Sequence, residues 1–371
     1  MLGYVIVMAL AMIPLGIYFY HYLRRVARFW LREKESKRIR YGCIALAVIL
    51  SICSINVFSM RSVILLHIAI IGMVLDLIAI VIRKIQKNRN VEFSIWRKLY
   101  GCGLVPIIIT VVMFSYGYWN MGHVVETHYN VTTEKNIREK GYRIALITDL
   151  HFENSMREDK LSKYCKEISE KNPDIVVLAG DIVDESTSKD GMKDAFSELD
   201  KIKNKEGIYY VYGNHDKASY SSSPHFTPKE LEQAIQDSGI HILEDEIAQV
   251  NKDITIIGRM DLGFSREHGR KSVEELLKGV DKNDYLIMVD HQPVEYKENS
   301  KNKIDLELSG HTHGGQIFPT GIISRIFNTA DQVYGKKQVD DMTAIVSSGI
   351  AGWGYPVRTE SISEYVIIDV K

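Results

Sequence analysis

Hydrophobic and polar positions divide the chain in two. From Leu2 to about Asn120 apolar residues come in long unbroken runs, and beyond about Thr133 short apolar runs alternate with amphipathic stretches. Four of the long runs, 2–23, 41–59, 63–82 and 104–120, approach or exceed the roughly 20 residues that a helix needs to cross a bilayer. They predict a transmembrane region over 1–125, a linker over 126–140 and a folded domain over 141–371. No positive charge precedes the first run and a basic loop follows it, so a cleaved signal peptide is disfavoured.

In the second half, strands are expected at 143–152, 174–183, 207–216, 254–260, 285–293, 304–313, 343–351 and 364–370. Several are continuous Val/Ile/Leu runs, as in strands buried on both faces. Helical spacing fits 157–172, 194–203, 228–239 and 272–280. The pattern predicts a layered α/β domain with helices covering a central sheet.

The net charge of −1 hides an asymmetry, with basic residues concentrated in the first half. Arg24, Arg25, Arg28, Arg32, Lys34, Lys37, Arg38 and Arg40 fill the first loop; Arg83, Lys84, Lys87, Arg89, Arg97 and Lys98 fill the third. The connection between the second and third runs has only Arg61. Basic loops stay in the cytoplasm, so the N-terminus and everything after the fourth span are expected outside: a multi-pass membrane protein with an extracytoplasmic domain. Asp76 and His67 lie in the third run on nearly opposite helix faces, so they form no joint site; packing of Asp76 against another helix is the simpler reading. Cys43, Cys53 and Cys102 lie in or beside the spans and Cys165 is alone in the second half, so no disulfide is required there.

Polar exceptions cluster where the expected strands end: DLH at 149–151, GDIVD at 180–184, GNHD at 213–216, DHQP at 290–293 and GHTHGGQ at 310–316. Each alone reads as an ordinary turn, and a lone His291 as a satisfied core histidine. Together they bring carboxylate, amide and imidazole donors to successive strand ends, where open α/β sheets bind ligands. That mixture suits manganese, iron or zinc, and seven donors exceed one tetrahedral site, which favours two ions. If a strand ran through the last motif, His311 and His313 would point the same way.

In this order the five motifs, with LSGHTHGGQIFP and GWGYPVR, resemble the calcineurin-like metallophosphoesterase superfamily, in particular its membrane-associated bacterial branch, over residues 140–371. The resemblance implies an α/β-β/α sandwich and two divalent ions, manganese foremost with iron or zinc as alternatives. It implies that Asp149, His151 and His313 hold one ion, that Asp181 bridges, and that Asn214, His291 and His311 hold the other. It makes His215 the acid that protonates the leaving group, with Asp216 orienting it, Asp184 in support, and a hydroxide held between the ions as nucleophile. Gly310 and Gly314 would let backbone pass close to metal or phosphate. Arg358 is a candidate phosphate contact, set against a surface salt bridge, and the loop 217–228 a candidate substrate wall, set against a plain connector.

The expected function is therefore a membrane-anchored dimetal phosphoesterase, a phosphodiesterase first. Its partners would be the lipid bilayer and a phosphate ester, lipid-linked or from the cell envelope, with no nucleic acid indicated. A non-catalytic phosphate-ligand sensor or scaffold is the alternative, disfavoured because Asp181 and His215 are both present. A dimetal amidase fits the motifs less well.

Overall fold

The computed structural model describes residues 2–31, 36–56, 59–89 and 94–371. It contains two compact units, Met1–Tyr116 and Gly117–Lys371.

The first unit holds helices α1 (Leu2–Leu31), α2 (Lys37–Cys53), α3 (Met60–Arg89), α4 (Ser94–Cys102) and most of α5 (Leu104–Met121). Among the described residues two stretches, Met60–Lys87 and Leu104–Met121, are long and apolar enough to cross a membrane. The basic segments expected as loops are partly helical: α1 runs on to Leu31, α3 to Arg89, and α4 occupies 94–102. Long-stemmed Arg and Lys are good helix formers, so the backbone ladder continues past the apolar run. The second run is helical only as far as Cys53, and parts of the basic loops, 32–35 and 90–93, lie outside the described residues. Asp76 has partners: Arg25 pairs with it and Tyr100 donates a hydrogen bond of 2.7 Å to it. Phe19, Ala47 and Ala69 form a small buried cluster, the alanines letting helices approach closely.

The second unit begins with the last turn of α5 and strands β1 (Val124–Val131) and β2 (Tyr142–Ile147). Then come α6 (Glu158–Glu170), β3 (Ile175–Ala179), α7 (Lys189–Asp200), β4 (Ile208–Val211), α8 (Pro228–Asp237), β5 (His241–Ile242), β6 (Glu246–Gln249) and β7 (Ile254–Gly258). The chain continues through α9 (Leu262–His268), α10 (Val273–Leu276), β8 (Tyr285–Val289), α11 (Tyr296–Lys301) and β9 (Leu306–Ser309). It ends with α12 (Thr320–Phe327), β10 (Gly335–Val339), β11 (Met342–Val346) and β12 (Ser363–Val370).

Among the described residues there are two sheets, as the sandwich architecture implies and unlike the single central sheet suggested by the strand pattern alone, each of six strands, in the orders β1-β12-β2-β3-β4-β5 and β10-β11-β9-β8-β7-β6. Sequence shows which strands are apolar on both faces but not which sheet they join. The inner faces meet in one core: Ile144 and Leu146, Val177 and Ala179, Ile254 and Ile256, Leu306 and Leu308, Val366 and Ile368. Alternate residues of the first sheet face the other way, onto Leu161, Ile168, Phe196 and Leu231 of the covering helices. Those of the second sheet meet Val273, Leu276 and Tyr296. Residues 124–131, mostly expected as linker, pair in parallel with β12. Their half-exposed character gives little signal of an edge strand, and β6 and β10 are mostly exposed.

Each fully buried aliphatic side chain between the sheets contributes on the order of 1.5–3 kcal/mol. Ile256→Ala is expected to destabilise the second unit by about 2–5 kcal/mol. Half-exposed Ile247→Ala should change stability by less than about 0.5 kcal/mol. Denaturant titration followed by tryptophan fluorescence compares the two.

Candidate metal centre

Strands β2, β3, β4, β8 and β9 stop just before the five motifs, and the backbone turns sharply there. Asp149, His151, Asp181, His311 and His313 all have positive φ, at 54°, 44°, 53°, 68° and 49°. For residues with a Cβ this left-handed conformation costs roughly 1–2 kcal/mol each, and such outliers gather where surroundings over-determine them. The surroundings here are backbone bonds: Asp149 N–H donates to Gly180 O (3.0 Å) and His151 N–H to Asp181 O (3.1 Å). Gly310 N–H donates to His291 O, also at 3.0 Å, joining the ends of the second sheet's strands.

The histidine pair is not on a strand, since β9 ends at Ser309. The two left-handed turns send His311 and His313 to different places. Donor atoms of Asp149, His151 and His313 lie within 4.8 Å of one another, and so do those of Asp181, His291 and His311. His291 Nδ1 faces Ala179 O at 2.7 Å, leaving Nε2 3.1 Å from Asp181 Oδ2 but without hydrogen-bond geometry. His151 Nδ1 lies 3.2 Å from Asp184 Oδ2, and its Nε2 is buried without a partner. Asn214 Oδ1 is likewise buried and unpartnered. Buried polar atoms are nearly always satisfied, so this set fits a group that accepts imidazole, amide and carboxylate donors, as divalent cations do. Burial pushes the imidazoles of His311 and His313 down to about 4 and about 3, which keeps them neutral, as a metal ligand must be. Against burial, hydrogen bonding to His151, Ser186 and Asn154 holds Asp184 well below the usual carboxylate range. Such a carboxylate orients a ligand imidazole.

Two glycines permit the crowding. A Cβ on Gly213 would lie 2.2 Å from Asp181 Oδ1, and one on Gly310 2.5 Å from Asp149 Oδ2. Gly314 differs from expectation: a Cβ there would meet Ser361 and Ser348, not a donor residue.

His215 stands beside both trios. Its N–H donates to Asp181 Oδ1 (2.9 Å), and its ring lies 5.6 Å from that of His151. Its Nδ1 is held by Glu185, at 2.9 Å, not by Asp216 as expected. Asp216 instead accepts four backbone N–H bonds, from Asp181, Ile182, Val183 and Gly213, and so staples the second motif to the third. Sequence did not separate these roles because Glu185 directly follows GDIVD and reads as part of an exposed turn. Burial opposes charge on His215, but Glu185, aided by Asp181 and Asp184, raises its pKa above the ordinary imidazole value. Trp353 and Tyr220 pack against the ring at 5.0 and 5.1 Å between centroids. Trp353 belongs to the GWGYP segment and Tyr220 to the Ser-rich loop, so that loop does line the site.

Arg358 departs furthest from expectation. It is fully buried and neither contacts an open phosphate site nor forms a surface ion pair. Its guanidinium donates to His313 O (3.0 Å), Ser348 O (2.7 Å), Ser361 Oγ (2.9 Å) and Ala351 O. It therefore fixes the turn carrying His313. Gln316 works similarly: its amide donates to Trp353 O, Tyr355 O and Val357 O, and its Oε1 accepts from Trp353 N–H. A groove of about 540 Å³ adjoins the centre through Asn154 and Ala351; Trp119, Lys160, Tyr355 and Pro356 also line it.

A two-sheet α/β domain with paired carboxylate and imidazole trios at its strand ends has the build of a metal-binding hydrolase. Residues 142–315 match the calcineurin-like phosphoesterase family. A transmembrane protein with metallophosphoesterase domain from Danio rerio is 29% identical over 304 residues, 77% of this chain and 67% of its own length. An uncharacterized metallophosphoesterase from Helicobacter pylori is 30% identical, over 61% of this chain and 59% of its own. One from Aquifex aeolicus is 30% identical, over 71% of this chain and 98% of its own. The chain thus spans about three fifths of the Helicobacter pylori relative and nearly all of the Aquifex aeolicus one. It belongs to the calcineurin-like phosphoesterases, metal-dependent phosphoester hydrolases that bind two divalent metals.

Glu185→Gln removes the hydrogen-bonded charge that favours protonated His215. The His215 pKa is then expected to fall, moving the alkaline limb of a pH–activity profile to lower pH; an unmoved limb would show that Glu185 does not tune this group. Arg358→Lys keeps the charge but cannot span four acceptors. It is expected to lower stability by about 3 kcal/mol or more, seen in thermal unfolding, and to reduce metal content at the His313 trio.

Proposed function

We propose that the chain is a phosphodiesterase anchored in the membrane by its four N-terminal apolar runs, with its second unit on the extracytoplasmic side. Its substrate is a phosphate ester carried by lipid or cell-envelope material. The observation that carries this reading is the pair of donor trios with His215 beside them and Glu185 hydrogen-bonded to it. Asp149, His151 and His313 would hold one divalent ion and Asn214, His291 and His311 the other, with Asp181 shared and manganese the foremost metal. Bound there, the ions would supply positive charge for the phosphoryl oxygens and a water acidified for attack.

The rest is done by side chains. Glu185 fixes Nδ1 of His215, so the proton to be given away sits on Nε2. The Glu185 carboxylate favours the protonated imidazole, and transfer of its proton to the departing oxygen neutralises the developing charge. Trp353 and Tyr220 flank the imidazole and limit its rotation. The adjoining groove, with aromatic walls and the Lys160 ammonium, suits the organic part of an amphiphilic phosphate ester. The anchoring draws support from the two bilayer-length helices and from the word transmembrane in the name of the Danio rerio relative. The sidedness rests on the basic loops.

Purified full-length protein, stripped with chelator and reloaded with manganese, zinc or iron, tests the reading against aryl and alkyl phosphodiesters. Stripping should abolish turnover and also lower the unfolding midpoint, because ions that bind only the folded state stabilise it; manganese should restore most activity. Asp181→Asn should abolish turnover with every metal. His215→Ala should lower kcat by roughly 10²–10⁴ on an alkyl ester and much less on a nitrophenyl ester, whose leaving group needs no proton. Fully loaded protein inert toward all these esters would refute the proposal.

A further inference from the structure

The second unit exposes few large apolar side chains, and five of them lie together. Phe318, Ile322, Ile323, Ile326 and Phe327 are all exposed, the last two at 68% and 72%. On α12 the four helical ones fall at i, i+1, i+4 and i+5, a single face. The helix has no acidic residue and carries Arg325 in its last turn. Soluble surfaces rarely gather so much contiguous apolar area without a partner.

Its position argues for one partner. Residues 358–361 form a strap that grips α12 on one side and the end of α5 on the other. Thr359 Oγ1 accepts the Phe318 N–H (2.9 Å), and Glu360 caps α12 by accepting Gly321 N–H (2.7 Å) and Ile322 N–H (3.0 Å). On the other side Arg358 N–H donates to Gly117 O (2.9 Å). Asn120 Nδ2 donates to Arg358 O (2.9 Å) and Ser361 O (2.7 Å). Gly117 and Asn120 are in the last turn of the bilayer-length helix Leu104–Met121. That turn exposes Tyr118 and Trp119, the residue types that settle at membrane–water boundaries. The apolar face of α12 is therefore tied, through one strap, to the point where the chain leaves an apolar helix.

We propose that α12 is an interfacial helix: its isoleucine and phenylalanine face lies in the headgroup region of the bilayer that α5 leaves, with Arg325 reaching lipid phosphates. This rests on the membrane-anchored phosphodiesterase reading and deepens it. A catalytic loop tied to an interfacial helix presents its cleft to phosphate esters borne by lipid, and soluble esters gain nothing from that contact.

The test uses full-length protein in phosphatidylcholine–phosphatidylglycerol vesicles with the photo-crosslinker p-benzoylphenylalanine replacing Ile323 or Ile326, and exposed Lys278 as control. Irradiation should give phospholipid adducts by mass spectrometry at 323 and 326 and none at 278. No lipid adduct at either position overturns the proposal, as does a crosslink there to a second copy or to another part of the chain. In parallel, Ile323→Glu/Phe327→Glu should lower turnover of a vesicle-borne phosphodiester at least tenfold while a soluble aryl phosphodiester is hydrolysed as before. Equal rates on the vesicle ester overturn the role in presentation. Failure of the underlying reading looks different: wild-type protein would wash off the membrane in alkaline carbonate, or would hydrolyse neither ester.

Discussion

The constraint on which the second unit depends is electrostatic. Asp149 and Asp181 are buried at the ends of adjacent strands among four imidazoles, and desolvated carboxylates cost several kcal/mol each unless compensated. His291 supplies part of that compensation to Asp181, whose carboxyl stays well below its usual range against its burial. The remaining donors, with Asn214 Oδ1 and His151 Nε2 unpartnered, are complementary to positive charge that the protein itself does not supply.

Holding such a set together demands backbone that L-residues adopt reluctantly, and five donors are left-handed. Polar side chains outside the donor set keep them there. Asp216 gathers four N–H groups of the second and third motifs, Arg358 grips the carbonyl of His313, and Gln316 secures the Trp353 loop. Residues that resemble catalytic groups in sequence thus serve as clamps. The group that tunes the imidazole of His215 is Glu185.

The clamps also explain why the end of α5 and α12 matter to the centre. The strap at 358–361 meets the turn carrying His313, the last turn of α5 and the first turn of α12, so those three share one hydrogen-bonded frame. Within that frame the strap holds the His313 carbonyl twice, through the buried Arg358 guanidinium (3.0 Å) and through Ser361 Oγ (2.6 Å).

Much of this was legible in the sequence. Unbroken Val/Ile/Leu runs located the central strands, and the donors stood at their ends in recognisable order, because burial on both faces and metal coordination each demand particular residue types. The edge strands β1, β6 and β10 were not legible, since half-exposed or mostly exposed segments resemble a linker. Nor were the roles of Asp216 and Arg358, or the tuning by Glu185. A carboxylate in GNHD reads the same whether it faces an imidazole or four amides, and an arginine near the C-terminus reads the same exposed or buried. Sequence by itself determined the chemistry available: which donors exist, which strands carry them, and which runs are apolar enough for a membrane. Tertiary structure alone decided how they are used, because left-handed turns split His311 from His313, and because burial turns a charged side chain into a ligand, a clamp or a tuning group according to what lies within hydrogen-bond reach.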